Sequence, residues 1–155
     1  MSRVVLLDTG VLAEVVRQPG HVAGDACRRW MLDLLTAGDT VCVPEIADYE
    51  LRRELIRAGR SASVRRLDQL AVTTSFLPID RRVMLRAAEL WAQVRAKGRP
   101  TADPAALDGD VILAAHHQVQ VTEMVAAGDF TDAAVATTNV GHLSLMVPAD
   151  LWQNI

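Results

Sequence analysis

The chain is poor in aromatics, has one lysine and two cysteines, and contains no long apolar run. Only 4% of its 155 residues are Phe, Trp or Tyr, although 50% are hydrophobic. Aliphatic residues and Ala must therefore build the core, as in helix-rich α/β proteins. No apolar stretch approaches the roughly 20 residues needed to span a bilayer. A basic region followed by an apolar signal segment is also missing, because Asp8 interrupts the first apolar run. These absences point to a cytoplasmic protein with no membrane association. Cys27 and Cys42 suit a reducing compartment, make no metal-ligand pattern and are expected in the core. The length suits one domain, residues 1–155, with a substantial core.

The net charge of −3 does not mark a nucleic-acid binder. The kind of positive charge says more: 15 of the 16 basic residues are arginine, and Lys97 is the single lysine. Arginine's planar fork suits bidentate phosphate and carboxylate contacts. A GC-rich genome would leave the same bias.

No repeat, low-complexity tract or interdomain linker divides the chain. The apolar run Val4–Leu7 predicts a strand, and a short helix over Val11–Arg17 stops at Pro19-Gly20. Helical spacing continues over His21–Ala37 to Gly38. Thr40–Val43 is a second buried strand, with Pro44 suited to the first turn of a helix over Glu45–Ala58. Ser61 is a plausible cap for a helix reaching about Thr74. Phe76–Ile79 reads as a short strand, and Asp80 as the cap of a helix over Arg81–Lys97. Gly98-Arg99-Pro100 breaks the chain before a helix over Leu107–Val125, a strand over Ala133–Thr138, and an edge strand near Met146-Val147-Pro148. Strands alternating with helices imply a mostly parallel sheet covered on both faces.

Four polar positions stand where such a sheet builds its site, and each has an ordinary reading beside the functional one. Asp8 ends the first strand and is either a helix cap or a metal ligand. Glu50 borders the stripe Ile46, Leu51, Leu55, where a carboxylate is costly unless it is paired or ligating. An ion pair with Arg53 or Arg57, worth a few tenths of a kcal/mol, is its alternative. Asp110 opens the run Val111-Ile112-Leu113-Ala114-Ala115, where an acid also suits the first helical turn. Asp108 could be the cap instead, leaving Asp110 free. Thr137-Thr138-Asn139-Val140-Gly141-His142 leaves a late strand, and a plain turn explains Asn139 and Gly141 equally well.

The order of these segments resembles the PIN-domain family over nearly the whole chain. Asp8-Thr9-Gly10-Val11-Leu12 looks like its opening motif and Glu50-Leu51 like its helix glutamate. Asp110-Val111-Ile112-Leu113-Ala114-Ala115 resembles its Asp-x-x-(Leu/Ile)-Ala-Ala motif. Thr137-Thr138-Asn139 resembles its closing motif, where many members carry Asp in place of Asn139. The small size is like that of the VapC-type toxin ribonucleases. There are departures. Asn139 offers a neutral oxygen, so a second metal would bind more weakly, and His142 stands where many toxin members have another Asp. Gln118–Asp132 looks longer than the usual connection, and Asp129 or Asp132 within it might partly compensate.

The resemblance implies a three-layer α/β/α PIN-like fold with a central, mostly parallel sheet. It also implies Mg²⁺- or Mn²⁺-dependent hydrolysis of RNA phosphodiester bonds. Asp8, Glu50 and Asp110 are the expected metal ligands, and Asn139 and Thr137 would shape the site. An oxygen-only set suits these hard ions, and two ions about 4 Å apart would serve an in-line displacement. Without a cation, at least one of the three acids would stay protonated. Arg52, Arg53, Arg57, Arg65 and Arg66 are candidates to follow the RNA backbone, each also readable as a solvated helix face. A cognate antitoxin and a homodimer are the implied partners, with Glu45–Ala58 and Ser61–Thr74 as a groove wall. A non-catalytic PIN module is the alternative that Asn139 supports. Phosphoaspartyl chemistry is a weaker rival: Asp8-Thr9-Gly10 resembles the haloacid-dehalogenase opening, but Gly10 replaces its second Asp, and Lys97 lies beside a loop break.

Overall fold

A computed structural model describes residues 2–97, 104–128 and 130–155. Gly98-Arg99-Pro100 and Asp129 lie outside the described residues. β1 (Ser2–Leu7) leads directly into α1 (Thr9–Val15), and α2 (Val22–Thr36) returns the chain to β2 (Thr40–Pro44). α3 (Glu45–Arg57) and α4 (Ser61–Thr73) form a helical pair before β3 (Ser75–Leu77) and α5 (Arg81–Ala96). α6 (Pro104–His116), a π turn (His117–Val121) and α7 (Thr122–Ala127) follow end to end. β4 (Phe130–Thr137) and the short β5 (Ala149–Leu151) complete the sheet.

The strand order is β3-β2-β1-β4-β5, and every pairing is parallel. Adjacent residues of β1 serve opposite layers. Val4 and Leu6 pack with Val83, Leu90, Leu107 and Val111 of α5 and α6. Val5 and Leu7 pack with Leu12, Met31, Leu51 and Leu67 of α1 to α4. A strand buried on both faces reads as a continuous apolar run, which is why Val4–Leu7 shows no alternation. The result is a three-layer α/β/α architecture. Cys42 lies in the first cluster and Cys27 in the second; burial pushes both thiols up to about 12, so they are inert core residues.

Successive crossovers leave β1 toward β2 on one side and reach β4 on the other. The crevice between the carboxyl ends of β1 and β4 is therefore the topological switch point, where open α/β sheets bind ligands. Among the described residues, no helix is long and apolar enough to cross a membrane.

Several boundaries differ from the sequence reading. α1 begins at Thr9, not Val11, because Asp8 caps it. Ser61 is not a cap: Arg60 holds that position, with no side-chain hydrogen bond to the helix end. Asp80 does cap α5, its Oδ1 accepting from the Val83 N–H at 2.9 Å. The helix expected over Leu107–Val125 starts at Pro104 and contains the π turn. Tertiary hydrogen bonds hold that turn: Gln118 Nε2 donates to the Met146 carbonyl at 2.9 Å, and Gln120 Nε2 to the Pro78 carbonyl at 2.7 Å. The edge strand falls at Ala149–Leu151, just after Met146-Val147-Pro148.

Candidate active site

Asp8 still follows the sheet when it leaves β1. Leu7 pairs with Ala136, and the Asp8 N–H donates to the Ala136 carbonyl at 3.0 Å, which brings Asp8 beside Thr137. Its Oδ1 accepts from the Thr9 N–H and its Oδ2 from the Thr137 hydroxyl, both at 2.7 Å. Asp8 therefore caps α1, and its second oxygen is turned toward Thr137 at the crevice. Thr137 is fully buried, and its oxygen also accepts the Asn139 N–H at 3.0 Å.

Glu50 reaches the same crevice from α3. Its Oε1 accepts the Thr9 hydroxyl at 2.9 Å, tying α3 to the start of α1. The anticipated pairing with neighbouring arginines is not formed: Arg57 bonds Glu54 at 2.7 Å, and the Arg53 guanidinium lies 5.1 Å from the Tyr49 ring centroid. α6 crosses so close that a Cβ on Gly109 would sit 2.7 Å from Glu50 Oε2. Only glycine fits there without displacing the carboxylate. Thr9 and Gly109 were not singled out from sequence. The signal for Gly109 was available, since glycine inside a helix is unfavourable unless something packs against it.

Asp110 follows Gly109 on the second turn of α6, not the first turn as expected, because the helix begins at Pro104. Asp108 is likewise inside α6 and exposed, so it is not a cap. Burial is the first cause raising the Asp110 carboxyl to about 6, followed by the charge of Asp8, with Glu50 adding to it; His142 works in the opposite direction. Asp8 and Glu50 are also raised, each first by burial. For Asp8 the hydrogen bonds from Thr137 and Thr9 oppose the rise; for Glu50 the Thr9 bond opposes it and Asp8 adds to it. The three acids come from three separate elements and repel one another electrostatically.

The remaining candidates divide. The Asn139 side chain is exposed, and its amide oxygen accepts the Gly141 N–H at 3.1 Å, as in an ordinary Asx turn. Asn139 thus joins the site through its backbone N–H to Thr137. His142 lies near enough for its charge to act on Asp110. Asp132 is a correction: Gln118–Asp132 is not a long connection but the π turn, α7 and the start of β4. Asp132 therefore stands at the amino end of β4, five residues from Thr137, or roughly 16 Å of strand.

Arg52 is a second correction. Its guanidinium binds the buried Asp48 at 2.8 and 3.0 Å and Asp68 at 2.7 Å, so it joins α3 to α4 and is not free for RNA. Arg66 is similarly engaged, donating to the Val16 carbonyl at 2.7 Å and the Ser63 hydroxyl at 2.9 Å. Arg53, Arg57 and Arg65 are exposed. Arg52→Ala leaves Asp48 buried without its partner and is expected to cost about 1–3 kcal/mol, less than a fully buried pair because Arg52 is partly solvated. A lower urea midpoint with unchanged slope checks this; weaker RNA binding with an unchanged midpoint would contradict it.

The donor set fits a hard divalent ion, since the three converging groups offer only carboxylate oxygens. Among the described residues, no three Asp, Glu, His or Cys side chains approach closely enough to cage an ion by themselves. The protonation balance has a further consequence. With its folded value raised to about 6, Asp110 stabilises the fold while protonated, and this contribution is lost as pH rises through about 6. In EDTA, Asp110→Asn should therefore gain on wild type between about pH 5 and about pH 7.5, by about 1 kcal/mol or less after allowance for partial solvation. Urea unfolding of both proteins at the two pH values reads this directly; a constant difference would contradict it.

A separate cavity of about 1050 Å³ lies between the end of α1, the turn before α2 and the α3–α4 pair, bordered by Arg17, His21, Leu55, Arg60 and Arg66. Leu51 and Glu54 of α3 also line it.

Among solved structures, the chain is similar in fold to VapBC2 from Rickettsia felis, described with a DNA fragment from its promoter. That match has 14% identity and a TM-score of 0.68, covering 96% of this chain and 98% of the other. FitAcB from Neisseria gonorrhoeae matches at 20% identity and TM-score 0.65, covering 97% and 99%. VapBC-1 from nontypeable Haemophilus influenzae matches at 15% and 0.64, covering 97% and 98%. No curated protein matches the chain in sequence. The sequence profile of the PIN domain matches residues 5–129, which contain Asp8, Glu50 and Asp110, and the chain therefore belongs to the PIN-domain family.

Proposed function

We propose that the protein is a Mg²⁺- or Mn²⁺-dependent endoribonuclease, the toxin of a VapBC-like toxin–antitoxin pair acting in the cytoplasm. The observation that carries this reading is the approach of Asp8, Glu50 and Asp110 at the switch point, with all three carboxyls raised first by burial, that of Glu50 also by the charge of Asp8 and that of Asp110 by the charges of Asp8 and Glu50. A divalent ion bound there would neutralise the scissile phosphate and make water a better nucleophile. Asp8 and Asp110 are assigned to hold it, and Glu50 to ligate or to orient the attacking water. Thr137 fixes the direction of Asp8, and Thr9 that of Glu50, through their hydroxyl donors. Asn139 contributes through the turn that holds Thr137.

The three similar structures support the partner half of the reading. A cognate antitoxin is assigned to the cavity beside α3 and α4, and a homodimer is part of the same proposal. The test is cleavage of RNA by purified protein. Activity in Mn²⁺ or Mg²⁺, lost in excess EDTA and in Asp8→Asn, is the expected result; equal cleavage by Asp8→Asn ends the proposal. Growth arrest on expression, relieved by co-expressing a short reading frame if one lies beside the gene, tests the toxin assignment.

A second reading, a PIN module that binds RNA or protein without cutting, draws on Asn139, whose amide oxygen is used by its own turn. Asn139→Asp distinguishes it: a silent wild type made active by the added carboxylate would favour this reading.

A further inference from the structure

Next to the acidic crevice, α5, the π turn and the segment after His142 enclose a cavity of about 220 Å³. Its polar side carries Arg86, Gln93, Lys97, Gln118 and His142, while Leu90, Val94 and Met146 form apolar walls. Leu145 lies at the same cavity and is 59% exposed, an apolar side chain with no packing to account for it.

The polar wall is built rather than incidental. Arg86 Nε donates to Gln118 Oε1 at 2.6 Å, and Gln118 Nε2 donates in turn to the Met146 carbonyl at 2.9 Å. Arg86 also bonds Glu89 at 2.7 Å, whereas Lys97 makes no ion pair among the described residues. The π turn is what aims Gln118 at this cavity, and π turns recur at functional sites. His142 connects the cavity to the candidate site: it lines the cavity and follows, by three residues, Asn139, whose N–H donates to Thr137, the hydroxyl partner of Asp8.

We infer that this cavity is a nucleotide subsite, taking one unstacked base of the RNA between its apolar walls and the adjoining phosphate at Lys97. The inference rests on the ribonuclease reading and names where that substrate is held. The volume lies below the roughly 300–1,000 Å³ of drug-sized ligand sites, which suits a single planar base. A base loses apolar surface to water when it enters between aliphatic walls, and its linkage carries a phosphate that a lysine at the rim can meet. The Gln93 amide also lines the cavity and would meet the edge of the base. With Arg86 balanced by Glu89, Lys97 is the rim cation without an ion pair among the described residues, and it favours an anion there.

The test is anisotropy of a short fluorescein-labelled single-stranded RNA, measured in EDTA against salt, with wild type, Lys97→Gln and Val94→Trp. Lys97→Gln should weaken binding about threefold and reduce the slope of log K against log salt by about 0.7, the loss of one phosphate contact. Val94→Trp fills the cavity and should weaken binding at least about fivefold with the slope unchanged, and should have no effect on RNA made abasic at one position. An unchanged slope in Lys97→Gln together with wild-type affinity in Val94→Trp overturns the subsite. Cleavage in Mn²⁺ separates the two failures. If wild type cleaves, Asp110→Asn does not, and both cavity variants keep the wild-type KM, only the subsite is wrong. If wild type neither binds nor cleaves RNA, the ribonuclease reading falls and the subsite with it.

Discussion

Asp110→Asn should lower single-turnover RNA cleavage by at least about 10²–10³-fold, the scale on which preorganised charge stabilisation acts. The substitution keeps the shape of the side chain and removes one negative oxygen. That oxygen is costly to keep charged: burial, Asp8 and Glu50 together raise its carboxyl to about 6. A site selected for stability would not crowd three acids from β1, α3 and α6. The same variant should therefore be more stable than wild type in EDTA near neutral pH while being inactive, a pattern typical of sites strained for function. Excess Mn²⁺ should reverse the order, because an ion binding only the folded wild type stabilises it by mass action. Loss of activity with loss of stability would instead mark Asp110 as structural, and undiminished cleavage would remove it from the mechanism.

Gly109→Ala should reduce cleavage by about 10- to 100-fold without destabilising the protein, because misplacing a catalytic group by about 1 Å is costly in rate. The new Cβ would stand 2.7 Å from Glu50 Oε2 and 3.1 Å from its Cδ. The end of Glu50 can swing away, so the fold need not yield. Alanine also favours the helix over glycine by about 1 kcal/mol. What is lost is the position of Glu50 and its 2.9 Å bond from Thr9. Glu50→Gln should show a comparable loss, and the double variant little more than either single one, since both act on one carboxylate. A Gly109→Ala enzyme cleaving at the wild-type rate would show that Glu50 is not held by this contact. Thermal unfolding beside the rate measurement separates these outcomes.

Asp8 was legible because an apolar run that ends abruptly on a carboxylate has few other uses in a parallel sheet. Glu50 followed from its place on the border of the Ile46, Leu51 and Leu55 stripe. What joins them was not legible: the Thr9–Glu50 bond spans 41 residues and depends on how α1 and α3 pack. Asp110 was identified but misplaced in its helix, because α6 starts at Pro104 rather than near the first strong apolar run. The π turn left no pattern in the sequence, since it is held by Gln118 and Gln120 bonding to carbonyls far along the chain. Asp132 was misassigned for a related reason. β4 begins at Phe130, so Asp132 enters the sheet at the end away from the crevice. Arg52 is held by Asp48, an i,i+4 spacing that the sequence does show, and by Asp68 on the next helix, which carries no local signal of pairing.

The proposed function requires Asp8, Glu50 and Asp110 to hold a divalent ion in competition with a proton. Calorimetric titration of Mn²⁺ into wild type and Asp110→Asn, at about pH 7.5 and about pH 5.5, tests it most directly. The account predicts one ion per wild-type chain, proton release that grows and affinity that falls toward the lower pH, and loss of that binding in Asp110→Asn. Equal Mn²⁺ affinity in the two proteins, independent of pH, would contradict it.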